Sequence, residues 1–151
     1  MIGQGYLSIN GKMQTMQKTG TSNLFWSRWG PAILLMALIF LFSSLPSSVI
    51  PSFGKFDFSI KKLGHMLGYA LLAPAYLRGI GKKGSAEIAV AWIMSIMYAF
   101  TDETHQAFVP GRSSSIVDIG IDGIGALAGL SPIILLTLRT LNRNPHFPPK
   151  S

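Results

Sequence analysis

The sequence predicts an all-α protein, a polytopic membrane four-helix bundle with both termini cytoplasmic. Three observations carry that expectation. Nearly half of the 151 residues are apolar and only 13% are charged, with a mean hydropathy of +0.39. Charge-free runs recur along the chain, at 29–54, 63–77, 88–101 and 123–138. The basic residues punctuate these runs unevenly, in the alternation that orients membrane spans. A net charge of +7 would suggest nucleic acid on a soluble surface; distributed between apolar stretches it does not, and no nucleic-acid partner is expected. The absence of cysteine excludes a disulfide framework and a thiolate metal site.

A bilayer core about 30 Å thick needs roughly 20 helical residues at about 1.5 Å each. Residues 1–24 are rich in Gly, Gln, Thr and Ser and carry no acid, so a disordered basic arm is expected, with Met13 and Met16 as alternative starts. The membrane domain is expected over 25–142 and a cytoplasmic tail over 143–151. The first span runs from about Trp26 to Leu45, where Ser43, Ser44 and Pro46 end the apolar stretch. A secretory signal peptide is the competing reading of that segment, although its polar lead is long and three later spans would still hold the chain in the membrane. The second span covers about Lys61–Ile80, the third Ala86–Gln106 and the fourth Ile116–Leu138. Pro74 and Pro132 fall inside the second and fourth, where membrane helices tolerate proline as a kink.

Nine basic residues against one acid fall in the arm, the link between spans two and three, and the tail; the other two loops hold four against five. The positive-inside rule then places both termini in the cytoplasm and the protein in the cell membrane as a multi-pass chain.

With that orientation the informative polar residues collect at the outer face. His65 and Tyr69 lie one helical turn apart, with Lys61 a turn above His65. Span three ends in Asp102, Glu103 and Gln106. Pro110-Gly111 reads as a tight turn delivering Arg112. Span four enters with Asp118 and Asp122 on one stripe, continued by Gly125 and Gly129, a small-xxx-small ridge for close helix packing. Ser115 and Asp118 also fit the Ser-x-x-acid pattern of a helix start, so Asp118 has two readings, cap or pocket wall. The serines at 113–115 read as caps more readily than as a nucleophile. Asp122 is different, because an unpaired carboxylate inside an apolar run costs several kcal/mol and so faces a cavity or a partner, with Arg112, His65 and Lys61 available.

His65 to Leu72 (HMLGYALL) and Asp102 to Gly129 (DETHQAFVPGRSSSIVDIGIDGIGALAG) together resemble the VanZ-like family of small bacterial membrane proteins, named for an accessory teicoplanin-resistance protein. The family pattern carries onto His65 and Tyr69, Glu103 and Gln106, Pro110-Gly111-Arg112, and Asp118, Gly125 and Gly129. The chain departs from it at Asp122, where the family more often has Asn. The resemblance implies a membrane location and a link to glycopeptide resistance and envelope biology, with no settled reaction.

Three function classes stay open. In the first, a binder of, or enzyme on, an anionic envelope lipid or cell-wall precursor, Arg112, Lys61 and Lys62 hold a phosphate or carboxylate. Glu103, His65 and Asp118 are then the candidate catalytic groups, with Gln106, Tyr69 and Asp122 in the binding site. Glu103, Asp118 and Asp122 are the candidate ligands should Mg²⁺ be a cofactor. The second class is a small transporter, which four spans would support only as a homo-oligomer. The third is a non-enzymatic scaffold or partner-modulating subunit, with the polar cluster as glue between helices.

Overall fold

The computed structural model describes residues 4–46 and 57–143, with side chains described for 23–46, 61–140 and 142. Its elements are four helices: α1 (Gln4–Ser43), α2 (Asp57–Ile80), α3 (Ser85–Gln106) and α4 (Ile116–Arg143). No strand occurs among the described residues. Each helix contains one expected span, and local chemistry sets the ends. At the end of α1 the Ser44 hydroxyl and N–H both turn back to the Phe40 carbonyl. Gly81, with φ +81°, closes α2 by donating its N–H to the Leu77 carbonyl, a left-handed cap that a side chain would strain. After α3 the Arg112 N–H bonds the Val109 carbonyl across Pro110 and Gly111. Gly111 supplies the positive φ, +74°, that the third position of this turn requires.

Helical backbone begins at Gln4, so residues 4–24 enter as an extension of α1, where composition had suggested a separate disordered arm. Gln, Met and Lys favour helix, and no proline interrupts before Pro31. The tail expected at 143–151 lies outside the described residues except for the last helical residue of α4.

Contacts at the helix ends show that successive helices alternate in direction. The end of α1 meets the end of α3 through Ser43 and Asp102, and the start of α2 meets the start of α4 through Lys62 and Asp118. At the opposite end, Arg28 of α1 donates to the Ile80 carbonyl of α2, and Arg78 of α2 donates to the Ser27 carbonyl of α1. α2 is the central helix. It packs on all three others and supplies Tyr69, Leu72, Ala73, Tyr76 and Leu77 to the core. Its closest seam is with α4, the most extensive helix pair, where Gly125 and Gly129 lie against the backbone of Met66 and Ala70. A Cβ at Gly129 would fall on the Ala70 carbonyl oxygen, so the small-residue ridge is a true backbone contact.

Leu, Ile, Val, Met and Phe side chains cover the outside of the bundle, among them Leu34, Leu41, Leu67, Val90, Ile93, Met97, Phe100, Ile124 and Leu136. A soluble globule does not expose apolar surface of that extent. Among the described residues two segments, Asn23–Ser43 and Ile116–Thr140, are long and apolar enough to cross a membrane. Only 11% and 28% of their most apolar windows are buried, unlike core helices of a soluble protein. The sequence reading expected four spans. At 24 and 22 residues α2 and α3 are long enough, about 36 and 33 Å, but their hydropathy is lower. Being packed against several neighbours, they carry Gly, Ala, Ser, Tyr and His where outward-facing helices carry Leu and Phe, and they bear charges at Lys61, Lys62, Arg78, Glu87, Asp102 and Glu103.

Candidate functional site

The end of the bundle formed by the starts of α2 and α4, the end of α3 and the Pro110-Gly111 turn encloses a cavity of about 220 Å³. Its wall contains Lys61, Lys62 and His65 from α2, Glu103 and Gln106 from α3, Gly111, Arg112 and Ser113 from the turn, and Asp118, Ile121 and Asp122 from α4. Of the residues singled out in the sequence, Lys61, His65, Glu103, Gln106, Arg112, Asp118 and Asp122 therefore meet in one space. Tyr69 does not reach that wall. It is fully buried one turn below His65, its ring 6.2 Å from that of Tyr98, and its hydroxyl has no hydrogen-bond partner among the described residues.

Glu103 and Gln106 form the α3 side of the wall. Both are nearly completely buried. Glu103 Oε2 accepts the backbone N–H of Ser115 at 2.9 Å, while Glu103 Oε1 accepts from Gln106 Nε2 at 3.2 Å. The Ser115 hydroxyl accepts the N–H of Val117, so Ser115 caps α4 as its position suggests. The acid expected to complete that cap, Asp118, is used elsewhere. It pairs with Lys62, and Glu103 from a different helix takes the N–H that a local carboxylate would have taken.

Arg112 is likewise engaged by the fold. Its Nη2 donates to the Phe42 carbonyl at 2.7 Å, its Nε to the Leu45 carbonyl at 3.2 Å, and its Nη1 to Gln106 Oε1 at 3.3 Å. The guanidinium thus neutralises carbonyls at the end of α1, where helix geometry leaves them without partners and the dipole favours a cation. Three of its five N–H donors are spent in this way.

Sequence reasoning left two participants out of the site. Asp102, 2% exposed, accepts at Oδ2 from the Ser43 hydroxyl at 2.7 Å and from Gln106 Nε2 at 3.1 Å. Ser43 had been read only as the residue that ends a span. The Asp102-to-Gln106 spacing of one turn was the visible signal for Asp102. Nothing local marks Ser43, which lies 59 positions away. Beside it the Phe40 ring stacks on His105 at 4.4 Å, and Ser44 and His105 share a hydrogen bond, so α1 and α3 are joined at this end by several polar contacts.

His65 stands between two acids. Its Nδ1 is 3.9 Å from Asp102 Oδ2 and 3.8 Å from Asp122 Oδ2, beyond direct hydrogen bonding but within strong electrostatic reach. Asp122 is 2% exposed, and among the described residues its Oδ2 has no hydrogen-bond partner; Asp102 Oδ1 is in the same condition. Buried carboxylate oxygens of this kind are costly unless something occupies the space beside them.

The candidate metal set is not assembled. Among the described residues no three His, Asp or Glu side chains are placed to hold one ion. Asp118 is drawn to Lys62, Glu103 is divided between Gln106 and Ser115, and Asp122 faces His65, so the three carboxylates do not converge.

The VanZ/LLP1 family model matches residues 28–138, well over half of the chain. The chain belongs to the VanZ/LLP1 family. The match contains the whole cavity and every residue of its wall, and it begins after the N-terminal extension of α1. VanZ/LLP1 membership and the two apolar, largely unburied helices together mark a membrane protein. No curated protein and no solved structure matches the chain at a significant level.

Proposed function

We propose that this VanZ-family protein crosses the cell membrane four times with both termini in the cytoplasm. Its cavity, at the extracytoplasmic end, binds the anionic phosphate of an envelope-lipid head group or of a cell-wall precursor. The observation that carries the reading is the cavity itself: an opening rimmed by Lys61, Lys62 and Arg112, floored by His65 and buried carboxylates, at one end of an apolar bundle. At about 220 Å³ it is smaller than the roughly 300–1,000 Å³ pockets that enclose drug-sized ligands, which suits a head group whose tails stay in lipid. The basic residues of the loops favour the orientation, and α2 and α3, long enough to span, are sheltered by the more apolar α1 and α4. In this reading Lys61 and the two remaining Arg112 donors take the phosphate, and Glu103 and His65 are the groups able to move a proton. A link to teicoplanin resistance would follow if the bound species were a cell-wall precursor.

Native mass spectrometry of the detergent-purified protein is the direct test, and a retained phospholipid or precursor is the expected result. Reporter fusions after Gly81 and after Ser113 test the orientation; an extracytoplasmic signal at 81 or a cytoplasmic one at 113 ends it. A second reading, a non-enzymatic scaffold, is favoured by the bonds from Arg112 to the end of α1 and by the Gln106 amide that joins three elements. In that case the purified protein carries no specific lipid.

A further inference from the structure

The phosphate reading explains the rim of the cavity and leaves the floor unexplained. Asp122 is almost completely buried, lines the cavity, and has an oxygen that no hydrogen bond from the described residues reaches. The neighbouring His65 stands too far away to satisfy it. A ligand carrying only phosphate would place acceptors against an acceptor. The floor instead calls for a hydrogen-bond donor.

Charge narrows the donor further. The cavity and the carboxylate behind His65 bring together four acids, Asp102, Glu103, Asp118 and Asp122, against three permanent cations. Asp122 and Asp102 are both almost completely buried, and a hydrogen bond from an ammonium to such a carboxylate is charge-assisted and stronger than one from a hydroxyl. Depth sets the distance between the two groups. Lys61 lies one helical turn above His65 on α2, as Asp118 does above Asp122 on α4, so rim and floor differ in depth by about 6 Å, which a two- or three-carbon arm spans.

Resting on the head-group reading, we infer that the ligand is an amino-alcohol phosphate ester, its phosphate at the Lys61 and Arg112 rim and its primary ammonium on Asp122. The ammonium donates to Asp122 Oδ2, and the same charge relieves the repulsion between Asp122 and Asp102 across His65. The discrimination lies in N–H donors and positive charge together. A trimethylated ammonium has the charge without the donors, and a glycerol arm has donors without the charge.

The experiment is calorimetric titration of the detergent-purified full chain with lipids of identical dihexanoyl tails. The four head groups are phosphatidylethanolamine, phosphatidylcholine, phosphatidylglycerol and phosphatidic acid, and tail-free O-phosphoethanolamine is titrated beside them. The ethanolamine lipid is expected to bind at least about tenfold tighter than the other three, as a charge-assisted hydrogen bond to a buried acid allows. In Asp122→Asn that advantage should fall to within about twofold, with the choline lipid unchanged. Lys61→Gln should weaken all four lipids alike and leave the ratio intact. Phosphatidylglycerol or phosphatidic acid binding as tightly as the ethanolamine lipid overturns the inference while leaving the head-group reading standing. So does a preference that survives Asp122→Asn. Failure of every lipid to bind the parent protein overturns both. O-phosphoethanolamine binding as tightly as the tailed lipid supports the chemistry and assigns the source to a soluble compound. Should Asp122→Asn not fold, the ethanolamine-to-choline comparison in the parent protein decides alone.

Discussion

The stripe of α4 that faces α2 changes character halfway along. In its first two turns Asp118 and Asp122 look across a cavity at Lys62 and His65; in the next two Gly125 and Gly129 lie directly on the α2 backbone. The two halves share one helix, one face and one neighbour, and differ in the size of the side chains. Glycine lets the helices close until carbonyl oxygens set the limit, while carboxylates opposed by lysine and histidine keep a cavity open between them. The pocket at one end of the bundle is therefore the counterpart of the tight seam that follows it at mid-helix, and the seam fixes the positions of the groups around the pocket.

The strongest way to break that contrast is to place a side chain in the seam. Gly129→Val would drive its Cβ into the Ala70 carbonyl, where only backbone movement gives relief, and a loss of about 3 kcal/mol or more is expected in thermal unfolding in detergent. Gly120→Ala, on the same helix but with nothing within 4 Å of the added carbon, should be neutral or slightly stabilising. Equal stability of the two variants would mean that the seam does not hold the bundle.

Next in size is the turn above the cavity. Arg112→Lys keeps the charge but cannot reproduce three bonds in a fixed plane, so the end of α1 loses partners, and a drop of about 1–3 kcal/mol is expected. An unchanged melting temperature together with lost lipid retention would return Arg112 to a purely ligand-holding role. Glu103→Gln must turn an amide N–H₂ toward one of two donors, Ser115 N–H or Gln106 Nε2, and should cost about 1 kcal/mol in the same assay.

Asp122→Asn belongs at the quiet end for stability. Its size is unchanged and its Oδ2 has no hydrogen bond to lose among the described residues; a change within about 1 kcal/mol is expected, with altered ligand retention. A large destabilisation would show that the approach of His65 to Asp122 is structural. The smallest effect is expected from deleting residues 1–20, which precede the family match; a large fall in the melting temperature would contradict it.

Much of the fold was legible locally. The apolar runs, the Ser43-Ser44-Leu45-Pro46 stop and the Pro110-Gly111 turn are each signals confined to a few residues, and the helices begin and end close to them. The Gly125-Gly129 ridge was legible for the same reason, since spacing by one turn is a property of a single helix. Gathering the polar residues at one end needed only the alternation of helix direction. Reading α2 and α3 by composition alone was less secure, because residues that pack against several neighbours trade apolar bulk for small and polar side chains and weaken the very signal being read.

What the sequence by itself determined is the set of helices, the tight seam and the residues available to a site. Only the tertiary structure decided who pairs with whom. Lys62 takes Asp118 across 56 positions, Ser43 takes Asp102 across 59, and Arg112 takes the Phe42 carbonyl across 70. These pairings depend on how each helix is rotated about its own axis against its neighbours. That rotation is set by the summed packing of all four helices, of which any one stretch of sequence carries only its own part.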